Sequence, residues 1–170
     1  MRAVLAILLL ALAGCGTSRL PPPAPEAPAP ITRPHFAGPV SCVPYARAAS
    51  GIRLAGDAWQ WWDAAEGRYA RGSTPRPGSV LVIARTARLA QGHLSVVRQV
   101  VNSREVLVDH ANWGSGAARG RVALDQRVVD VSPRNDWTMV RVWHPPTDQL
   151  GVTPFAARGF IHRDIQVASR

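Results

Sequence analysis

Beyond residue 79 the apolar residues of this chain fall into short β-branched runs, and that pattern restricts the fold more than any other feature. The runs are VLVIA (80–84), HLSVVRQVV (93–101) and EVLVDHANW (105–113), followed by RVALDQRVVDV and WTMVRVWHP (137–145). Branched and aromatic side chains suit a pleated surface, and turn residues separate the runs, so each reads as a strand. Only Asn102, Ser103 and Arg104 join the second run to the third, a connector short enough for a hairpin.

Two helical segments precede the strands. CVPYARAASGI places small and apolar residues at helical spacing and stops at Ser50-Gly51. Pro44 is tolerated only in a first turn, which puts Cys42 at the helix N-terminus. In AGDAWQWWDAAEGRYA, residues Ala58, Trp61, Trp62 and Ala65 share a face, Gly67 closes the helix and Asp57 caps it. Helices ahead of successive antiparallel strands predict an α+β domain over residues 38–163, with the helices on one side of the sheet. A 170-residue chain that is 46% apolar has material for one such core, and it contains no internal repeat.

All twenty basic residues are arginines, opposed by eleven acids, for a formal charge of +9. Such a surplus suits an anionic partner such as a wall polymer or membrane surface, and it also arises from biased coding. The chain lacks a basic run or aromatic–basic alternation, so no nucleic-acid partner is expected.

The N-terminus reads as an address. MRAVLAILLLALAGCG has Arg2, an apolar run from Ala3 to Ala13 and then small residues. Eleven apolar residues suit a signal-peptide core, for which about 7–15 suffice, whereas a membrane span needs about 20. Leu12-Ala13-Gly14-Cys15 resembles the bacterial lipobox, which implies a signal peptide over 1–14 and lipidation of Cys15. Gly16 follows the cysteine, and the resemblance implies sorting to an outer membrane, facing the periplasm, where the organism has one. Residues 15–37 read as an extended linker carrying the domain away from the bilayer, and 164–170 as a tail.

With Cys15 given to lipid, Cys42 is the only thiol left. That excludes an internal disulfide and any multi-cysteine metal site. A lone exported cysteine is buried, paired between chains or reactive. A helix N-terminus and a nearby histidine both favour the thiolate, and the free N–H groups there suit an acyl-transfer oxyanion. His93, opening a strand after Gln91-Gly92, is the candidate base. A base needs an orienting group. With period two, His110 and Asn112 share one face of the next strand, whereas Asp109 requires the other face or a bulge.

The blocks SCVPYAR, DAWQWWDAA, PRPGSVLVI, GHLSVV, VDHANW and ARGFI resemble, in order and spacing, the CHAP domain, the cysteine, histidine-dependent amidohydrolase/peptidase. The resemblance implies a papain-like fold, Cys42 as nucleophile, His93 as general base and a third polar group from His110 or Asn112. Glu is common in the family where His110 stands, and Gln where Ser41 stands. With no acid at 110, Asn112 is expected to be the effective orienter. Trp59, Trp62 and Trp113 are candidates for lining a glycan or peptide groove, with at least two of the tryptophans in the core. The resemblance implies a peptidoglycan hydrolase that cuts an amide, as amidase or endopeptidase, without metal or organic cofactor. The alternative is a non-catalytic envelope lipoprotein that binds peptidoglycan or a partner protein through the same fold.

Overall fold

A computed structural model of the protein describes residues 31–165. The signal-like segment, Cys15 and the linker up to residue 30 lie outside the described residues. Helix α1 (Cys42–Ser50) follows an extended Ser41 and ends on Gly51, whose left-handed φ of 76° turns its N–H onto Arg47 O. A single 3-10 turn (Ala58–Gln60) runs into the four-residue helix α2 (Trp61–Ala64). Eight strands follow: β1 (Tyr69–Gly72), β2 (Val80–Ile83), β3 (His93–Asn102), β4 (Glu105–Ala111), β5 (Val122–Asp130), β6 (Met139–His144), β7 (Gln149–Leu150) and β8 (Phe155–Ile165).

All pairings are antiparallel, in the order β1-β8-β2-β3-β4-β5-β6-β7. Strand β8 also pairs with β6 through Met139–Ala156 and Val140–Phe155, so six strands close into a barrel. The expectation of an α+β domain with N-terminal helices packed on an antiparallel sheet is therefore only loosely met. Among the described residues the fold is mostly antiparallel β, and the two α-helices are short. Closure depends on β8 bending. Its register against β2 shifts between Ala157 and Gly159, and Gly159 has φ 124° where an added Cβ would sit 2.6 Å from Gly72 O.

The predicted second helix is also corrected. Asp57 and Gln60 form a reciprocal capping box, and Ala58, Trp61 and Ala65 are buried as their spacing requires. The helix nevertheless stops early, because Gly67 takes φ 66° and the chain beyond it joins β8 as β1. At the other end, Ile31 and Phe36, assigned above to the linker, pack on the helix-side core. Arg33 ion-pairs with the buried Asp109 at 3.0 Å and with Asp125. Apolar and ionic groups in 31–37 thus outweigh the extended tendency of the prolines. The tail expected from residue 164 begins inside β8, which runs to Ile165.

The sheet separates two cores. Val80, Val82, Leu94, Val96, Ala111 and Ile161 face the helices, where Tyr45, Ala46 and Trp61 cover them. Leu81, Ile83, Val97, Val108, Val142 and Phe160 fill the barrel. Burial of each large apolar side chain contributes roughly 1.5–3 kcal/mol. By alternation, the Val97 side of β3 carries Ser95 and His93 inward, and the Val108 side of β4 carries His110 inward. Asp109 faces out, toward Arg33 and Arg98. The bulge that could have turned it lies on β5, where Val108 and His110 pair with Gln126 and Ala123. Asp125 in that bulge has φ 52° and donates its N–H to Asp109 Oδ1 at 2.8 Å.

Candidate active site

Cys42 is the first residue of α1 and a free thiol. The segment before it is pinned by a hydrogen bond from Val40 N–H to Gly120 O of 2.9 Å. Strands β3 and β4 pair only as far as Val96–Asp109. Past that point the Leu94 N–H points at the Cys42 sulfur, together with the N–H groups of Cys42 and Val43. The thiol therefore rests against the backbone one residue beyond His93. These donors favour the thiolate, but burial wins and pushes the thiol above its ordinary value. The expectation that this position makes the thiolate easy to form is thus corrected: a helix terminus inserted between strands is also desolvated.

His93 opens β3 directly after Gly92, whose φ of 67° and tight surroundings admit no side chain. A Cβ there would lie 2.8 Å from Ile83 O and 3.0 Å from Trp59 N. His93 Nε2 lies 3.1 Å from His110 Nδ1, and Ser95 Oγ lies 3.2 Å from the same His110 atom. Trp113 closes the group, with its ring centroid 4.7 Å from that of His93. Burial, and secondarily His110, holds His93 well below the usual histidine range. Burial lowers His110 to about 3. Both rings are neutral at pH 7, and the His93 nitrogen not engaged by His110 is Nδ1.

The structure joins His93 to His110 and sets Cys42 against the backbone of Leu94, whereas the Asn112 amide is engaged elsewhere. Asn112 has φ 61°, and its Oδ1 accepts the Gly120 N–H at 2.8 Å, so its amide shapes the loop after β4. Asp109 lies across the strand from the histidines. Of the tryptophans expected to line a groove, Trp113 is 9% exposed and donates its Nε1–H to Trp143 O, as a core residue does. Trp59 and Trp62 are half-buried beneath Arg85 and Arg71, at 4.4 and 5.1 Å. Ser95 was not singled out from sequence, although its place two residues after His93 put it on the same face.

A cavity of 390 Å³ opens beside Ser41, lined also by Pro39, Asn112, Arg119 and Gly120. It continues into a 650 Å³ cavity that adds Arg33, Phe36 and Arg121. No tryptophan lines either cavity. Among the described residues, no cluster of His, Cys, Asp and Glu could hold a metal ion.

A cysteine heading a helix, set against a strand headed by a buried histidine, is an arrangement suited to nucleophilic acyl transfer. The family model of the CHAP domain matches residues 34–112. Cys42, His93, Ser95, His110 and Asn112 all fall within the match. CHAP domains are typically hydrolases, so the match supports an amidase or peptidase kind of activity related to peptidoglycan. No curated protein matches the chain.

Proposed function

We propose that this protein is a peptidoglycan hydrolase that cleaves an amide bond through Cys42, held at the envelope by lipid on Cys15. The observation that carries this reading is the placement of the Cys42 sulfur against the Leu94 N–H, beside a His93 whose Nε2 is already engaged. The sulfur attacks the substrate carbonyl as His93 Nδ1 takes the thiol proton. Because thiol and imidazole both rest neutral, the proton moves during the attack rather than before it. N–H groups at the start of α1 stabilise the oxyanion. His93 then returns the proton to the leaving amine as the C–N bond breaks. Water, deprotonated by His93, hydrolyses the thioester and frees the thiol. No step calls for a metal or organic cofactor.

The groove beside Ser41 is the substrate path. Arg119 and Arg121 are exposed there and make no ion pair among the described residues, which suits the carboxylates of peptidoglycan stems. The bond cut is the lactyl–alanine amide or one within the stem or cross-bridge.

A second reading, a non-catalytic envelope protein that binds peptidoglycan through the same groove, draws support from the elevated thiol and the lack of an acid facing His93. Digestion of purified peptidoglycan, with products identified by mass spectrometry, separates the two. New amine and carboxyl ends from wild type but not from Cys42→Ala are expected. Equal, product-free binding by both proteins would favour the second reading.

A further inference from the structure

We propose that Ser95 is a positioning residue that sets the tautomers of both buried histidines, so that His93 keeps a bare Nδ1, the ring nitrogen that His110 does not engage. This rests on the catalytic reading for its consequence but not for its chemistry. Ser95 is fully buried inside the barrel, and among the described residues its hydroxyl has one hydrogen-bond partner, His110 Nδ1 at 3.2 Å. A buried hydroxyl that fails to donate keeps its desolvation penalty uncompensated. Its proton therefore goes to His110 Nδ1, which must be the bare nitrogen of that ring.

The same atom faces His93 Nε2 at 3.1 Å. A bare Nδ1 can only accept, so His93 Nε2 carries the proton and donates, sharing the single lone pair with the Ser95 hydroxyl in a three-centre bond. The proton of a neutral His93 is thereby spent on Nε2, and its Nδ1 lone pair is free to act as base. Without Ser95 the two rings have an equivalent alternative, in which His110 Nδ1–H donates to a bare His93 Nε2. His93 would then be protonated at Nδ1 and unable to take the thiol proton. Each arrangement makes one bond between the rings, and His110 Nε2 has no partner among the described residues in either, an unpaired N–H in the first and a bare nitrogen in the second, so the rings alone do not select the first. The Ser95 hydroxyl does. A carboxylate facing His93 would need no such helper, being an acceptor only; a histidine is ambivalent until a third group fixes it.

The test is ¹⁵N NMR of the full-length protein labelled in its imidazole rings, in which protonated and bare ring nitrogens have distinct shifts. Wild type is expected to show His93 and His110 both protonated at Nε2. Ser95→Ala is expected to move both rings to averaged shifts, and Ser95→Thr, which keeps the hydroxyl, to restore the wild-type pattern. His110 protonated at Nδ1 in wild type, or tautomers unmoved in Ser95→Ala, overturns the proposal. Peptidoglycan turnover is measured on the same samples, with kcat of Ser95→Ala expected about two- to fivefold lower at unchanged KM. Tautomers that shift in a protein that cuts nothing support the role of Ser95 and overturn the hydrolase reading instead.

Discussion

His93 Nε2 and His110 Nδ1 lie 3.1 Å apart inside the barrel, so the candidate base is oriented by a second neutral imidazole. A neutral partner fixes direction but supplies no charge to hold an imidazolium, which distinguishes this site from one built on a carboxylate.

His110→Glu should therefore change the chemistry of a residue it does not touch. A carboxylate facing His93 favours the imidazolium, which in turn favours the Cys42 thiolate. Alkylation of wild-type Cys42 by iodoacetamide is expected to be slow at neutral pH and to climb through the alkaline range, because burial raises the thiol. In the variant the rate at pH 6.5 should rise about tenfold, corresponding to one unit of thiol pKa. An unchanged profile would show that position 110 does not govern the pair.

Acid stability should carry the signature of the two histidines. An unfolded histidine titrates near pH 6.5, whereas burial lowers folded His110 to about 3 and His93 in the same direction. Between those values the unfolded chain binds protons that the folded chain refuses, so stability is complete above about pH 6.5 and falls as pH falls. At about 1.4 kcal/mol per pH unit, His110 alone removes about 2 kcal/mol by pH 5. Urea unfolding of wild type and His110→Gln from pH 7 to 4 should show the two stabilities converging as pH falls. A constant difference between them would contradict the buried, neutral assignment.

Asp109→Asn should act on stability alone. The carboxylate is fully buried between Arg33 and Arg98 and also accepts the Asp125 N–H. Arg33 is 43% exposed and can turn to solvent, so the loss is expected at about 1–3 kcal/mol, below that of a wholly buried pair. Denaturant titration measures it, and the pH profile of Cys42 alkylation should not move. A shifted profile would mean that Asp109 reaches the site through β4.

Arg119→Glu should weaken peptidoglycan turnover mainly through KM, by about threefold to tenfold, and less as salt is raised. A loss confined to kcat would place Arg119 in the chemistry rather than along the groove.

How far the sequence reaches is clearest residue by residue. Cys42 at the head of α1 and His93 at the head of β3 follow from Pro44, Gly51 and the β-branched run after Gly92. The hairpin of β3 and β4 turns at Ser103-Arg104, as its short connector requires. Asn112 was the harder case. Alternation puts it on the His110 face, but its positive φ takes it out of the strand, and no periodicity announces a left-handed asparagine. The VLVI run of β2 is buried on both faces, so its pattern conceals which face meets the helices and which fills the barrel.

Local chemistry, then, determined by itself what the chain says locally: where helices and strands begin, which residues alternate, and that one cysteine and one histidine stand at the starts of their elements. Tertiary structure decided three further matters. Strand β8 closed the sheet by pairing over long sequence distance, which short-range periodicity does not encode. Residues 31–37 docked because Asp109 needed cations once buried. The thiol and both imidazoles became neutral because desolvation depends on what surrounds a group in space, and that is set only when the barrel closes around it.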